Sequence, residues 1–189
     1  MSGDLGKKLQ EFKDQPFELL REMERRSRAA LAGGASVDMD AEEWVGIGCR
    51  LASERLLVPR AEVREVMMMP SNLTRVPGVK AWVDGLANLR GQLLPVVDLR
   101  SFMGAGTSKG IRTARVLVAD NPELMVGIIV DEVFGFRRFI DSEFSEQIPD
   151  TELRCERYLA GACARGDDLW PVLSLQKLLE AHEFQNAAA

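Results

Sequence analysis

The sequence predicts a mainly β protein made of two related half-domains, with short helices and a helical segment at its start. Three observations support this prediction. Apolar residues alternate with a period of two from residue 44 onward, turn residues separate about ten short strand-like runs, and one stretch of sequence recurs. A parallel α/β sheet would need a helix after most strands, whereas helical patterns are few here. We therefore expect β-barrels rather than a doubly wound fold.

Residues 1–40 differ in pattern from the rest and are predicted to form an N-terminal helical extension. Pro16 lies where a helix can begin, and apolar residues then follow at three- and four-residue steps until Gly33 and Gly34 end the run. The resulting apolar stripe is narrow. It suits packing on the main domain, and it also suits docking on a partner.

Residues 41–183 are predicted to form the β domain, and residues 184–189 a flexible tail. The predicted strands are 45–51, 55–58, 63–68, 85–90, 93–97, 115–119, 124–130, 133–140, 159–165 and 169–173. Helical patterns cover only 79–84, 99–103 and 173–183. The glycine-rich stretch 104–110 lacks the ending of a phosphate-binding loop, and a flexible linker is expected there.

An internal repeat is the most informative feature of the chain. The stretch 85–99 is echoed by 161–175, when a slip of a single position between the copies is allowed. In both copies an Arg-Gly pair, at Arg90 and at Arg165, is expected to form the turn between two strands. A second echo pairs the stretch 63–66 with the stretch 130–133. Two related half-domains explain both echoes.

The composition excludes several classes of protein. The 24 Lys and Arg residues stand against 29 Asp and Glu residues, and the resulting net charge of −5 argues against a nucleic-acid binder. The apolar stretches are too short to span a bilayer, and the first residues do not resemble a signal peptide. The three cysteines lack C-x-x-C spacing and are expected to be buried or half-buried free thiols. These features predict a cytoplasmic protein.

The sequence supplies little for catalysis or cofactor binding. His182 is the only histidine, so a His-based triad or a two-histidine metal site lacks its components. The acidic residues Asp98, Asp131 and Glu132 lie near predicted strands without a partner base or a metal motif beside them. We therefore predict no enzyme, no cofactor and no metal.

Arg90 is the polar residue that most suggests a function. It follows an apolar run at a turn, and Glu65 is the candidate carboxylate partner for its guanidinium. The valines of the second echo, Val63, Val66, Val130 and Val133, either belong to the core or line an apolar groove that suits a helical partner. The run 66–69, Val-Met-Met-Met, either alternates toward the core or forms an adaptable binding surface.

These motifs resemble those of CheW-like chemotaxis coupling domains. The resemblance rests on NLRGQLLPVVDL at 88–99, VREV at 63–66, GIIVDEVFGF at 127–136 and YLAGACARGDDLWPVLSLQKLL at 158–179, which occur in the family's order. It covers roughly residues 43–180. The segment PFELLREMERRSRAALAGG, together with WVGIGCRL and PGVKAWVDGLANLRGQLLP, is similar to the PilI branch. That branch serves chemosensory systems of type IV pili and twitching motility.

The resemblance implies two five-stranded barrels related by a pseudo-twofold axis, and a non-catalytic adaptor. Such adaptors link the cytoplasmic hairpin tip of methyl-accepting chemotaxis receptors to the regulatory domain of a CheA-type histidine kinase in membrane-associated arrays. Carried onto this chain, the receptor-binding residues are Val63, Arg90, Val130 and Val133, and Glu65 steadies Arg90. The kinase-binding residues stay unassigned. A small-ligand or oligosaccharide-binding β-barrel is the alternative, because one fold hosts many functions.

Removal of residues 1–40 is expected to leave the β domain folded, because the composition and the hydrophobic period both change near Trp44. Near-UV circular dichroism of the truncated chain would check this, with the full chain as the reference. A truncated protein that is insoluble, or that has lost its near-UV signal, would contradict the prediction.

Overall fold

A computed structural model describes residues 43–153 and 155–188 of the chain. The predicted N-terminal extension, residues 1–40, lies outside the described residues. The described strands are β1 (Glu43–Leu51), β2 (Glu54–Pro59), β3 (Val63–Met68), β4 (Val83–Leu89), β5 (Gln92–Asp98), β6 (Arg115–Ala119), β7 (Gly127–Val130), β8 (Glu132–Ile140), β9 (Phe144–Ser145), β10 (Leu159–Arg165) and β11 (Asp168–Leu173). The described helices are α1 (Leu99–Phe102), α2 (Leu175–Glu180) and α3 (His182–Gln185), with short 3-10 turns at Arg60–Glu62, Asp141–Glu143 and Glu156–Tyr158.

The strands form two sheets, which confirms the predicted mainly β fold. The five-stranded sheet has the order β3-β6-β7-β5-β4, and we call it the first barrel. The six-stranded sheet has the order β8-β1-β2-β11-β10-β9, and we call it the second barrel. Neighbouring strands are antiparallel except for the pairs β5–β7 and β2–β11. The described chain begins in the second barrel, crosses over to build the whole first barrel, and then returns to complete the second.

The two barrels repeat the same hydrogen-bonding register, as the first sequence echo predicted. The β4–β5 pair Leu86 and Pro95 recurs in β10–β11 as the pair Ala162 and Pro171. The β6–β7 ladder corresponds in the same way to the β1–β2 ladder, with the same spacing between paired positions in the two copies. The repeat in the sequence is therefore a repeat in the strand ladders.

Gly85 and Gly161 occupy equivalent bulges, and both positions require glycine. Their φ angles are 143° and 153°, a region that residues with a Cβ rarely adopt. A Cβ at either glycine would also collide with a backbone carbonyl oxygen, of Thr74 in one barrel and of Ser145 in the other. These two residues lie at equivalent places, because Thr74 bridges to β4 and Ser145 pairs with β10. The two-residue strand β9 therefore has a counterpart in the first barrel.

The expected Arg-Gly turns differ between the two hairpins. Arg90 and Gly91 form the β4–β5 turn with φ angles of 52° and 87°. In the second hairpin the turn residues are Gly166 and Asp167, and Arg165 is the last residue of β10. The prediction is therefore correct for the first copy and wrong for the second. The reason is that the strand pairing makes Arg90 equivalent to Gly166, whereas the sequence similarity aligns Arg90 with Arg165.

The second sequence echo also aligns residues that are not equivalent in the two barrels. Val63 pairs with Ala119 immediately before a bulge in β3, and Val133 pairs with Cys49 immediately before the matching bulge in β8. Val63 therefore corresponds to Val133. The letters of the echo aligned Val63 with Val130, which ends β7 instead. The pairing of the strands, and not the similarity of the two sequence stretches, therefore decides which residues of the two barrels are equivalent.

Three apolar clusters fill the described domain. One lies inside the first barrel and contains Ala87, Leu94, Val96, Ala114, Val116, Val118 and Ile129. One lies inside the second barrel and contains Leu57, Phe139, Cys163, Trp170 and Val172. The largest cluster joins the outer faces of both sheets and includes Ile47, Val58, Leu117, Ile128 and Leu173. Strands such as β7 are buried on both faces, which explains why their sequences read as continuous apolar runs.

The helix predicted over 79–84 is wrong. Val83 already begins β4, and Val79 forms an isolated bridge with Ala188. The carbonyl of Trp82 accepts a hydrogen bond from the backbone N–H of Asp98, 2.8 Å away. Backbone groups in this stretch are satisfied by distant strands instead of by a helical turn, so tertiary pairing overrides the local pattern.

The flexible tail predicted for 184–189 is also corrected by the structure. Phe184 lies in α3, is 4% exposed, and stacks on Trp82 with ring centroids 5.4 Å apart. Ala187 accepts a backbone hydrogen bond from Lys80, so the described part of the tail adds to the main domain. The helical run predicted over 173–183 is divided into α2 and α3 at Ala181, whose ψ of 128° is extended.

The glycine-rich stretch 104–110 is anchored, so the expected flexible linker is a further correction. The carboxylate of Asp98 accepts hydrogen bonds from the Thr107 hydroxyl at 2.6 Å and the Ser108 backbone N–H at 2.8 Å. The Ser108 hydroxyl donates to Asp131 at 2.7 Å. Asp98 and Asp131 are both fully buried. Buried carboxylates require such partners, and the loop supplies them.

Asp131 joins segments from both barrels at the crossover between β7 and β8. Its carboxylate accepts hydrogen bonds from the Ala52 backbone N–H at 2.8 Å and from Arg100 Nη1 at 3.1 Å. Its own backbone N–H donates to the carbonyl of Arg50. Ala52 has a φ of 52° in the β1–β2 turn, a strained conformation for a residue other than glycine. The carboxylate therefore holds a strained turn of one barrel and the α1 region of the other.

Replacement of Asp131 by alanine is expected to lower the free energy of unfolding by about 3–5 kcal/mol, because it leaves buried donors and the Arg100 charge unpaired. Urea denaturation checks this value. Glu132→Ala is the matched control: this neighbouring carboxylate pairs with Arg50, its side chain is 36% exposed, and its loss is expected to cost about 0–1 kcal/mol. Equal losses for the two variants would contradict the role assigned to Asp131.

Candidate partner-binding surfaces

Arg90 and Glu65 form the ion pair that the sequence predicted. Arg90 Nη2 lies 2.7 Å from Glu65 Oε2, and the two side chains are 78% and 24% exposed. The Asn88 side chain accepts a hydrogen bond from the Gly91 backbone N–H at 2.8 Å and so stabilises the turn that carries Arg90. Arg90 therefore presents a held but largely solvent-exposed guanidinium at one end of the first barrel.

The ion pair has a structural role as well, because it bridges the two edge strands of the first barrel. Glu65 lies on β3 and Arg90 follows β4, so the pair spans the gap between the ends of the sheet. In the second barrel, Arg165 donates to the carbonyl of Arg138 on β8 at 2.7 Å and to both carboxylate oxygens of Glu143. An arginine at the end of a hairpin thus closes each barrel.

The structure does not place the predicted valines on a surface groove. Val63 and Val130 are 1% and 0% exposed and lie in the cluster between the barrels. Val133 is half-buried and packs against the same cluster. The outer faces of the two sheets pack on each other at these positions, so Val63 and Val130 support the fold from beneath. Val66 lies further along β3 and is 40% exposed.

The Met run follows simple alternation along β3 and beyond it. Met67 and Met69 pack against the interior cluster of the first barrel. Met68 points the other way and is 72% exposed. The run therefore contributes both to the core and to the exposed surface. The sequence had left open whether it alternates toward the core or forms a binding surface.

Exposed apolar side chains occur at equivalent positions of the two barrels. Leu93 and Leu169 are 69% and 49% exposed, and each is the second residue after its hairpin turn. Val66 and Phe136 form a second equivalent pair and are 40% and 62% exposed. Sequence reasoning missed Leu93, Leu169 and Phe136 as surface residues. The repeat could have drawn attention to the two leucines, because each is an apolar residue just after the hairpin turn of its copy.

A cleft of about 600 Å³ adjoins Leu93 at the end of the first barrel. Its lining residues are Arg64, Gln92, Leu93, Asp120, Asn121, Pro122 and Met125. The guanidinium of Arg64 contacts the Met125 sulfur at 3.5 Å. The β6–β7 turn, which carries an Asn121 side chain bonded to two backbone N–H groups, forms one wall. This end of the barrel therefore combines an apolar centre with charged groups around it.

A second cleft, also of about 600 Å³, has an aromatic floor formed by Trp82, Phe102 and Tyr158. The floor groups already have partners. The Tyr158 hydroxyl donates to Glu183 at 2.9 Å, Arg157 pairs with the same carboxylate, and Trp82 is only 9% exposed beneath Phe184. A small-ligand function would need unpaired polar groups that converge on an open space. The alternative of a ligand-binding barrel therefore gains no support from this cleft.

The described residues contain no group of three or more His, Cys, Asp or Glu side chains placed to hold a metal ion. The free cysteines Cys49, Cys155 and Cys163 are all buried. Burial raises the pKa of Cys49 to about 12 and that of Cys163 to about 11, so neither is a thiolate at neutral pH. Within the same residues, no helix has both the length and the apolar character needed to cross a bilayer.

Glu143 is expected to titrate far below its ordinary range. Hydrogen bonding from Arg165 lowers the pKa of Glu143 from 4.5 to about 2. Because the folded-state pKa lies below the unfolded-state value, the pair stabilises the fold above about pH 4.5, and this contribution is lost as the pH falls toward about 2. Arg165→Gln is expected to raise the pKa of Glu143 toward 4.5, as measured by carboxyl-carbon NMR.

Arg90→Gln is the control for this titration, because Arg90 closes the other barrel and does not contact Glu143. It is expected to leave the Glu143 titration unchanged. An unaltered Glu143 pKa in the Arg165→Gln protein would refute the assignment of the shift to Arg165.

Comparison with known proteins identifies the relatives of the chain. A family model described as CheW-like domain matches residues 45–183. Protein PilI of Pseudomonas aeruginosa is 38% identical over 173 residues, which are 92% of this chain and 96% of that protein. Chemotaxis protein CheW of Helicobacter pylori is 26% identical over 85% of this chain and 96% of its own length. Protein FrzA of Myxococcus xanthus is 30% identical over 69% of this chain and 82% of its own length.

The solved structures agree with these sequence relationships. The crystal structure of the scaffolding protein TtCheW from Thermoanaerobacter tengcongensis superimposes with a TM-score of 0.65 and covers 79% of this chain and 96% of that one. The sequence identity of 21% makes this a likeness of fold. The family resemblance predicted from the motifs is confirmed, and with it the prediction that the protein is not an enzyme. The chain belongs to the family of proteins with a CheW-like domain.

Proposed function

We propose that the protein is an adaptor that couples methyl-accepting chemotaxis receptors to a CheA-type histidine kinase, in a chemosensory system that controls type IV pili. The family and the names PilI, CheW and FrzA among the relatives support an adaptor of chemotaxis type. The similarity to PilI over nearly the whole length of both chains supports the pilus branch. In this proposal the protein works in the cytoplasm and joins receptor arrays at the membrane.

The observation that carries the proposal is the pair of equivalent exposed ends on the two barrels. Leu93 and Leu169 project at equivalent positions of two different sheets. An adaptor needs two surfaces that do not compete, and an exposed apolar residue at the same position of each barrel supports this requirement. Large exposed apolar side chains beside charged groups are typical of protein interfaces.

The shared core gives the two surfaces a fixed geometry. The largest apolar cluster joins both sheets, and the Asp131 network ties them at the crossover. Two partners held on one rigid body raise each other's effective concentration. A change in one partner can then alter the other through shared contacts, with coupling free energies of about 1–3 kcal/mol.

We assign the receptor to the first barrel and the kinase to the second. Arg90, which the family resemblance marks as a receptor-binding residue, lies in the β4–β5 hairpin turn, and Leu93 is the second residue after that turn. In this assignment Val66 and Val133 border the receptor surface. Val63 and Val130 act from beneath, because their side chains are buried. The second barrel is then the remaining surface for the regulatory domain of the kinase.

Leu93→Asp and Leu169→Asp form a matched pair that tests this division. Leu93→Asp is expected to weaken binding of the receptor tip by about 10- to 100-fold, because it places a charge at the centre of an interface. Binding of the kinase regulatory domain is expected to stay within about twofold, and Leu169→Asp should give the opposite result. Calorimetric titration of each variant with each partner measures both effects.

Both variants are expected to fold, because the replaced side chains are largely exposed, and thermal unfolding serves as the control. Loss of both partners in each variant would argue against separate surfaces. A wild-type chain that binds neither partner would overturn the proposed adaptor function.

A further inference from the structure

We propose that the open end of the second barrel binds a surface carboxylate of a protein partner, and that Arg137 is the anchor. The inference rests on the proposed function only for the identity of that partner, the regulatory domain of the kinase. The anchor belongs to a cluster that we call the Trp170 clamp, which consists of Arg55, Trp170 and Arg137. The two guanidinium carbon atoms lie 5.2 Å (Arg55) and 5.6 Å (Arg137) from the centroid of the Trp170 ring.

Comparison of equivalent positions in the two barrels shows that the Trp170 clamp occurs in the second barrel and not in the first. The matching strand ladders give each member of the clamp an equivalent position in the first barrel. In the order Arg55, Trp170, Arg137, the equivalent residues are Met125, Leu94 and Met67. The same backbone geometry therefore carries Met-Leu-Met at one end of the protein and Arg-Trp-Arg at the other. The fold does not require the two arginines, since its other half is built without them.

The strand beneath the clamp provides the space that the clamp needs. Gly46 pairs with Arg137 across β1 and β8, and Gly48 lies two positions further along β1. A Cβ on Gly48 would lie 3.4 Å from both the Arg137 side chain and the Trp170 ring. The first barrel has Val116 and Val118 at the equivalent positions of β6. Larger side chains under the clamp would displace it.

Arg137 is held in place and lacks a charged partner among the described residues. Arg55 pairs with Asp168 at 3.2 Å, and the neighbouring Arg138 pairs with Glu43 at 2.7 Å. Arg165 is likewise bound to Glu143. No described carboxylate lies within ion-pair distance of Arg137, although its side chain is exposed. Its stacking on Trp170 reduces the rotamer freedom that binding would otherwise remove.

The surroundings of Arg137 favour a protein partner over a free anion. Leu169 immediately precedes Trp170 in β11 and is 49% exposed, so an apolar side chain is exposed on the opposite face of the same strand, one position from the tryptophan. An exposed arginine stacked on a tryptophan has the composition of an interface hot spot. The guanidinium can bind a carboxylate with two hydrogen bonds, while Leu169 is covered by an apolar side chain of the same partner.

Arg137→Met tests the inference, because methionine is the residue at the equivalent position of the first barrel. The variant keeps an unbranched side chain over Trp170 and removes only the charge and the donors. Calorimetric titration of the full chain with the kinase regulatory domain is expected to show affinity about 10-fold weaker than wild type, and a weaker dependence on salt concentration. Arg138→Met is the matched control, because the neighbouring Arg138 is already paired, and it is expected to stay within about twofold.

The outcomes separate the inference from the proposed function. If the wild-type chain binds the kinase domain and Arg137→Met binds as tightly, only the inference is overturned. An equal loss in the Arg137→Met and Arg138→Met proteins would also overturn it, because a general change of net charge would then explain the effect. If the wild-type chain binds neither the kinase domain nor the receptor tip, the proposed function fails, and the inference fails with it. Thermal unfolding of each variant excludes misfolding as the cause.

Discussion

The buried carboxylate of Asp131 is the constraint on which the joining of the two barrels depends. The chain leaves the first barrel at Val130 and enters the second at Glu132, so Asp131 lies at the point of passage. A fully buried charge is stable only when donors surround it, and here the donors come from α1, from the loop 104–110 and from the β1–β2 turn. The two sheets and the glycine-rich loop must therefore assemble together for this carboxylate to be satisfied.

Comparison of the two pseudo-twofold-related barrels distinguishes residues that the fold requires from residues that are particular to one barrel. The bulge glycines Gly85 and Gly161 recur at equivalent positions because each barrel must form the same bulge. The barrels are also each closed by an arginine at the end of a hairpin, although Arg90 and Arg165 lie one position apart in the matched strand ladders. Residues that differ at equivalent positions are free of that requirement. The exchange of methionine for arginine over the interior residue is the clearest example, and it gives equivalent positions of the two barrels different chemistry. A pseudo-symmetric protein can in this way hold two unlike partners.

The division between core and surface also bears on how an adaptor transmits a signal. Val63 and Val130 lie in the cluster that both sheets share, so in the proposed function a partner on one barrel would act on a packed interior that extends into the other. Close-packed interiors transmit displacement and do not absorb it, because they contain few voids. The buried valines are thus better placed to carry coupling between surfaces than to form a surface themselves.

The sequence by itself determined the mainly β class, most of the strands, the two-copy organisation, the family and the ion pair of Arg90 with Glu65. These features leave a mark in local alternation, in turn residues or in a repeated motif, and each can be detected without knowing which residues meet in space. Only the tertiary structure decided that Val63 corresponds to Val133, that Phe184 is buried, and that the loop 104–110 is anchored. It also decided that Val63 and Val130 are interior while Leu93 and Leu169 are exposed. The physical reason is that strand register and burial depend on partners distant along the chain, and an apolar residue at the end of a hairpin has the same local pattern whether or not another sheet covers it.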